Sequence, residues 1–170
     1  MKLIRSTNDK FLFALSETEG ELLQLLLRLY PRIPPGYHRI SKTLQPTETE
    51  EAQRLLDEAL EENRRKNIQQ VADLLTEKRL LTHTKTGFRL TLSHEQFEWL
   101  LQVLNDVRVG SWIALGAPDT ENGEEIKITN QTAPHVWAME TAGYFEMTLL
   151  EAVENPASQP ENTTGPDQPG

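Results

Sequence analysis

Apolar and polar positions alternate with different periods along the chain, and each change of period marks an element. Leu3 to Arg5 and Phe11 to Leu15 are short apolar runs on either side of Asn8-Asp9, a turn-forming pair. They predict a small β-hairpin. Ser16 and Glu19 have capping-box spacing, in which hydroxyl and carboxylate each satisfy a free backbone N–H at a helix start. The first helix is expected to reach about Tyr30, where Pro31 stops it. Leu22, Leu23, Leu25, Leu26, Leu27 and Leu29 cover most of its circumference, which predicts a central, buried helix.

Thr47 to Lys78 reads as one long helix or two in series, with Thr47 and Glu50 placed for a capping box. Ala52, Leu55, Leu56, Ala59 and Leu60 form a helical stripe that Val71, Ala72, Leu74 and Leu75 resume. The pairs Glu61–Arg65 and Glu62–Lys66 favour continuity through the polar middle. Asn63 and Asn67 would then lie on the stripe and face other helices. Phe88 to Leu92 alternates as a strand after the Thr86-Gly87 turn, and is expected to pair with the N-terminal hairpin.

Ser93 and Gln96 cap a third helix, whose inward face is Phe97, Leu100, Leu101, Leu104, Val107 and Ser111 and which Gly116 and Pro118 end. Asp119 to Gln131 reads as a loop with a weak strand, Glu125 to Ile128. A fourth helix is expected from Thr132 to about Glu151, with Val136, Trp137, Met139, Gly143, Tyr144, Met147 and Leu150 on its buried side. The pattern therefore predicts a mainly α fold, a helical bundle of four to five helices with a small antiparallel β-sheet. Residues 1–153 would form one domain. Residues 154–170, rich in proline and without a large apolar side chain, would be a disordered tail.

Composition narrows the chemistry. The chain of 170 residues is long enough to bury a core without staples. It has no cysteine, which excludes disulfides and thiol chemistry. A net charge of −9 argues against general nucleic-acid affinity. No signal peptide and no membrane-length apolar run is read, so a cytoplasmic protein is expected. His38, His83, His94 and His135 share no ligand-like spacing, and no metal or cofactor is expected. The acidic stretch before Gly123 fails as a calcium loop, because Pro118 falls where a carboxylate is required.

Two groups of residues stand out. Asn105, Asp106 and Arg108 are polar positions inside a strongly amphipathic helix. An arginine buried there needs partners, and Asn63, Asn67 and Glu140 are the candidates. The set can be read as a ligand or partner pocket, or as a polar network that fixes helix register. The connection from Pro31 to Pro46 carries Arg32, Tyr37, His38, Arg39 and Lys42 without an acidic residue, a candidate partner-contact loop. Gly110 and Gly143 fall inside helices, where glycine costs up to ~1 kcal/mol against alanine. Close approach of helices three and four would explain both, with Trp99, Trp112 and Trp137 packed around the contact.

The run Trp99-Leu-Leu-Gln-Val-Leu-Asn105-Asp106-Val-Arg108-Val-Gly-Ser-Trp-Ile-Ala-Leu-Gly116 resembles a helix of the bacterial domain of unknown function family two thousand and seventeen. That family has a Trp-Leu…Leu-Asn-Asp-Leu-Arg pattern followed by Leu-Gly. The resemblance extends to the tryptophan-containing last helix, Trp137 to Glu151, and to the acidic helix with Asn63 to Asn67 downstream. It implies a protein without established enzyme activity. It also implies a setting of Clp-adaptor gene neighbourhoods and oxidative-stress transcriptional regulation. Any thiol switch is excluded by the absence of cysteine, and the proline loop and Trp112 depart from the pattern.

Taken together, the residues point first to a non-catalytic regulatory or protein-interaction domain with an unknown protein partner, a homodimer being one form. The alternative is a small-molecule-binding protein or enzyme with a polar site around Asn105, Asp106 and Arg108. A third reading is DNA contact through Arg32, Arg39 and Lys42.

Overall fold

The computed structural model describes residues 1–7, 9–39, 46–76 and 80–154, the side chains of 46–48 and 120 excepted. The expected turn residue Asn8, the loop residue Lys42, the helix end at Lys78, the Thr47 cap and a tail from 155 onward lie outside the described residues. The fold is α+β. Among the described residues are strands β1 (Lys2–Ser6), β2 (Lys10–Leu15), β3 (Leu81–Thr84) and β4 (Gly87–Ser93). The helices are α1 (Glu17–Leu27), α2 (Pro46–Thr76), α3 (His94–Ala114) and α4 (Ala133–Glu154).

The sheet is antiparallel throughout, in the order β1-β2-β4-β3. The predicted hairpin and its pairing with Phe88 to Leu92 are both present. Strand β3 was not anticipated, and Glu125 to Ile128 forms no strand. Period-two alternation puts Leu3, Phe13, Leu90 and Leu81 in one row across all four strands, on the face that meets the helices. Each is buried, at roughly 1.5–3 kcal/mol per side chain. Gly87, at φ 134°, sits where a Cβ would fall 2.2 Å from the Leu15 carbonyl oxygen, so the turn into β4 admits only glycine.

Both capping boxes form. Ser16 N–H donates to Glu19 Oε2 at 2.8 Å and Ser93 N–H to Gln96 Oε1 at 2.9 Å. Helix α1 stops at Leu27, a turn earlier than expected, and only Gly20, Leu23, Leu26 and Leu27 are buried on it. Leu25 is exposed, so α1 is not buried all round. The inward face of α3 is as predicted except that Leu101 is only half-buried, and it is widened by Trp99, Val103 and Gly110.

Helix α4 corrects the expectation most clearly. Its buried residues are Ala138, Ala142, Phe145 and Leu149, while Trp137, Tyr144, Met147 and Leu150 are exposed. The helix is apolar nearly all round, so hydropathy does not select a face. Packing does: Ala138 and Ala142 let the first half of α4 come close against α3, Phe145 and Leu149 fill the core further along, and the other large apolar side chains are left outside.

Helix α2 is continuous. Lys66 pairs with Glu62 as expected, whereas Arg65 reaches back to Glu62 rather than Glu61. Its buried residues are Asn67, Val71 and Leu74, all in its last third. Among the described residues no helix is long and apolar enough to cross a membrane.

Candidate functional site

The polar residues singled out in the sequence divide between two sides of α3. Asn105 and Asp106 face α2, and with Asn63, Asn67, His38 and Arg39 they line one open cleft of about 1420 Å³. Its other wall is polar as well, formed by α2 residues such as Gln53, Asp57 and Glu61. Arg108 lies two residues beyond Asp106, about 200° further round the helix, and turns to α4.

Arg108 is not a buried arginine. Half-exposed, it meets Glu146 Oε2 at 2.8 Å and Asn105 Oδ1 at 3.1 Å. The anticipated partners Asn63, Asn67 and Glu140 are not the ones used. Burial pushes the Glu146 carboxyl above its ordinary range, and the Arg108 guanidinium opposes that shift.

Asp106 has a structural task. One carboxylate oxygen, Oδ1, accepts the backbone N–H of Arg32 at 2.6 Å and of Ile33 at 3.2 Å. Arg64 donates to the Ile33 carbonyl at 2.8 Å, and Gln53 to the His38 carbonyl at 3.0 Å. The segment after the cis Tyr30–Pro31 bond is thus held from both α3 and α2. Burial pushes the Tyr30 hydroxyl up, against a hydrogen bond with buried Asn67.

The basic loop is not one surface. Arg32 turns inward: its guanidinium meets His135 Nδ1, and its Nε is buried without a partner. Burial lowers its pKa. That removes Arg32 from any DNA-contact patch. Tyr37 is exposed and edge-on to His38, and Arg39 is exposed at the cleft.

The glycines and tryptophans have other roles than expected. A Cβ on Gly110 would fall 2.5 Å from the Arg32 carbonyl carbon, so this glycine admits the loop rather than α4. Gly143 has only ordinary contact, 3.6 Å, with the Arg108 side chain. Trp99 is buried, Trp112 donates to the Pro118 carbonyl at 3.1 Å, and Trp137 is exposed. They do not gather at one contact.

The histidines remain apart: His83 pairs with Glu17, His94 packs edge-on to Phe11, and His135 meets Arg32. Among the described residues no group of three His, Cys, Asp or Glu could hold a metal ion. The second surface of interest, missed in the sequence, is the outside of α4. Trp137, Tyr144, Met147 and Leu150 are 37%, 42%, 54% and 46% exposed there. No protein-family model, curated protein or solved structure matches the chain.

Proposed function

We propose that the chain is a non-catalytic protein-interaction domain whose contact surface is the outer face of α4. The observation that carries this is the exposure of Trp137, Tyr144, Met147 and Leu150 along one helix. Aromatic residues and methionine are the types enriched where proteins meet. A folded chain gains by burying such side chains, and here the buried face of α4 is Ala138, Ala142, Phe145 and Leu149, which leaves these four outside. The resemblance of α3 to the uncharacterised bacterial family supplies the proposed setting, cytoplasmic stress response or transcription regulation.

The test is quantitative affinity capture from the native cell, with the wild type and the M147E/L150E variant compared side by side. A partner retained by the wild type and lost by the variant is expected, with circular dichroism unchanged. Equal recovery by both would overturn the reading.

A second reading rests on the cleft, which Asn63, Asn67, Asn105 and Asp106 help to line. A small molecule bound there would raise the melting temperature in a metabolite screen, and N63A/N105A would abolish the rise. The cleft is second because Asp106 is already spent on the Arg32 and Ile33 amides.

A further inference from the structure

The sheet contains no acidic residue. Its four strands carry Lys2, Arg5, Lys10 and Arg89 and neither Asp nor Glu, in a chain with 26 acidic and 17 basic side chains. The register puts all four cations on the face away from the core. Lys2, Ala14, Arg89 and Thr82 form one row across the strands, Arg5, Leu12 and Thr91 the next, and Lys10 with Ser93 a third. The four cations are exposed, and Leu12, Ala14 and Thr91 between them are half-buried.

Strands lie about 4.8 Å apart and alternate residues about 6.8 Å along a strand, so the four charges fall within roughly 15 Å. Neighbouring cations are then roughly 7–10 Å apart, close to the screening length of about 8 Å at physiological salt, so adjacent potentials partly add while the outermost pairs are largely screened. None of the four is in an ion pair among the described residues. Glu19 borders the same rim, in a hollow of about 390 Å³ with Lys2, Ala14 and Arg89. Its carboxylate is already held by Ser16 and Tyr144.

We infer that this sheet face docks a short acidic segment of a partner protein. The match is one of charge and of anatomy: a small apolar centre, Leu12 and Ala14, inside a rim of cations. It goes beyond the α4 surface and does not depend on it. Nucleic acid fits the face less well. It presents no aromatic ring on which a base could stack. Four cations also release few counterions, which gives only weak affinity for a phosphate backbone.

The test is NMR titration of the full chain with a synthetic amphipathic Glu/Leu peptide, and in parallel with single-stranded and duplex oligonucleotides. Amide shifts are expected at Lys2, Arg5, Leu12, Arg89 and Thr91. R5E/R89E should weaken the peptide by about tenfold or more, as should high salt, while M147E/L150E leaves it unchanged. Should R5E/R89E fail to fold, K10Q/R89Q serves, with a smaller loss. Absence of binding, shifts confined to another surface, unchanged affinity in the variants, or tighter binding of an oligonucleotide at this face would each overturn the inference.

Discussion

The Asp106 carboxylate accepts the backbone N–H of Arg32 at 2.6 Å, across 74 residues of chain. A side chain from the middle of α3 thereby does for the segment after Pro31 what a cap does for a helix. It satisfies donors that have no other partner, the Ile33 N–H included. The same segment passes over Gly110, one turn further along α3. The loop that forms one side of the cleft is therefore held from α3 by Asp106 and seated over Gly110, and from α2 by Arg64 and Gln53.

Removing that acceptor should loosen the segment. D106A leaves two partly buried N–H groups unsatisfied and is expected to cost about 2–3 kcal/mol. D106N keeps one acceptor oxygen and should cost roughly half as much. Urea midpoints measure both, and a D106A midpoint equal to the wild type would show that the contact contributes nothing.

Gly110 and Gly143 should respond with opposite sign. Helix propensity alone makes glycine to alanine favourable by up to ~1 kcal/mol at either site. At Gly143 nothing opposes this, since the nearest atom is at 3.6 Å, and G143A should be neutral to stabilising. At Gly110 the new methyl meets Arg32 backbone at 2.5 Å, and forced packing costs about 1–3 kcal/mol. G110A should therefore lower the melting temperature. Equal shifts in the two variants would remove the loop-over-glycine account.

What was legible in the sequence follows from what is local. Ser16 and Ser93 announce their helices because each cap bonds within three residues of itself. Phe88 to Leu92 reads as a strand because one side is buried and the other is not. The face of α4 could not be read, since Trp137 and Ala138 are both apolar and only packing decides between them. Strand β3 has one buried apolar residue, Leu81, at the sheet's edge, too little for a period. Of the candidate site, sequence reasoning found Asn105 and Asp106 but kept Arg108 with them, and Glu146 was not foreseen. The cationic sheet face needs the strand register, which no local window contains.

The Arg108–Glu146 pair should show its asymmetry in a double-mutant cycle. Arg108 is half-exposed and Glu146 largely buried, so losing the arginine strands a carboxylate. R108M should cost about 1–2 kcal/mol at neutral pH, and R108M/E146Q should recover most of it. The sign with pH follows. Without Arg108 the Glu146 pKa, already raised by burial, rises further above its unfolded value. The deficit is then present above that pKa and shrinks as acid protonates the group. A pH-independent R108M deficit would contradict this.

Glu19 should give the chain an acid limb of the opposite sense. Burial pushes its carboxyl up, but hydrogen bonds from the Met1 amino group, Ser16 and Tyr144 outweigh it, and the pKa falls from 4.5 to about 2. A lowered folded-state pKa contributes stability that is present above the unfolded value and lost as pH falls toward the folded one. The window is therefore about pH 4.5 to 2, and solvent screening at this rim position reduces the contribution to about 1–2 kcal/mol. E19Q keeps the size of the side chain and removes the charge. It should lose about 1–2 kcal/mol at pH 7 and unfold with a flatter pH profile across that window, while Y144F, which removes only one donor, should lose less. Thermal unfolding from pH 7 to pH 2 measures both. Parallel E19Q and wild-type curves would mean that the group does not titrate with folding.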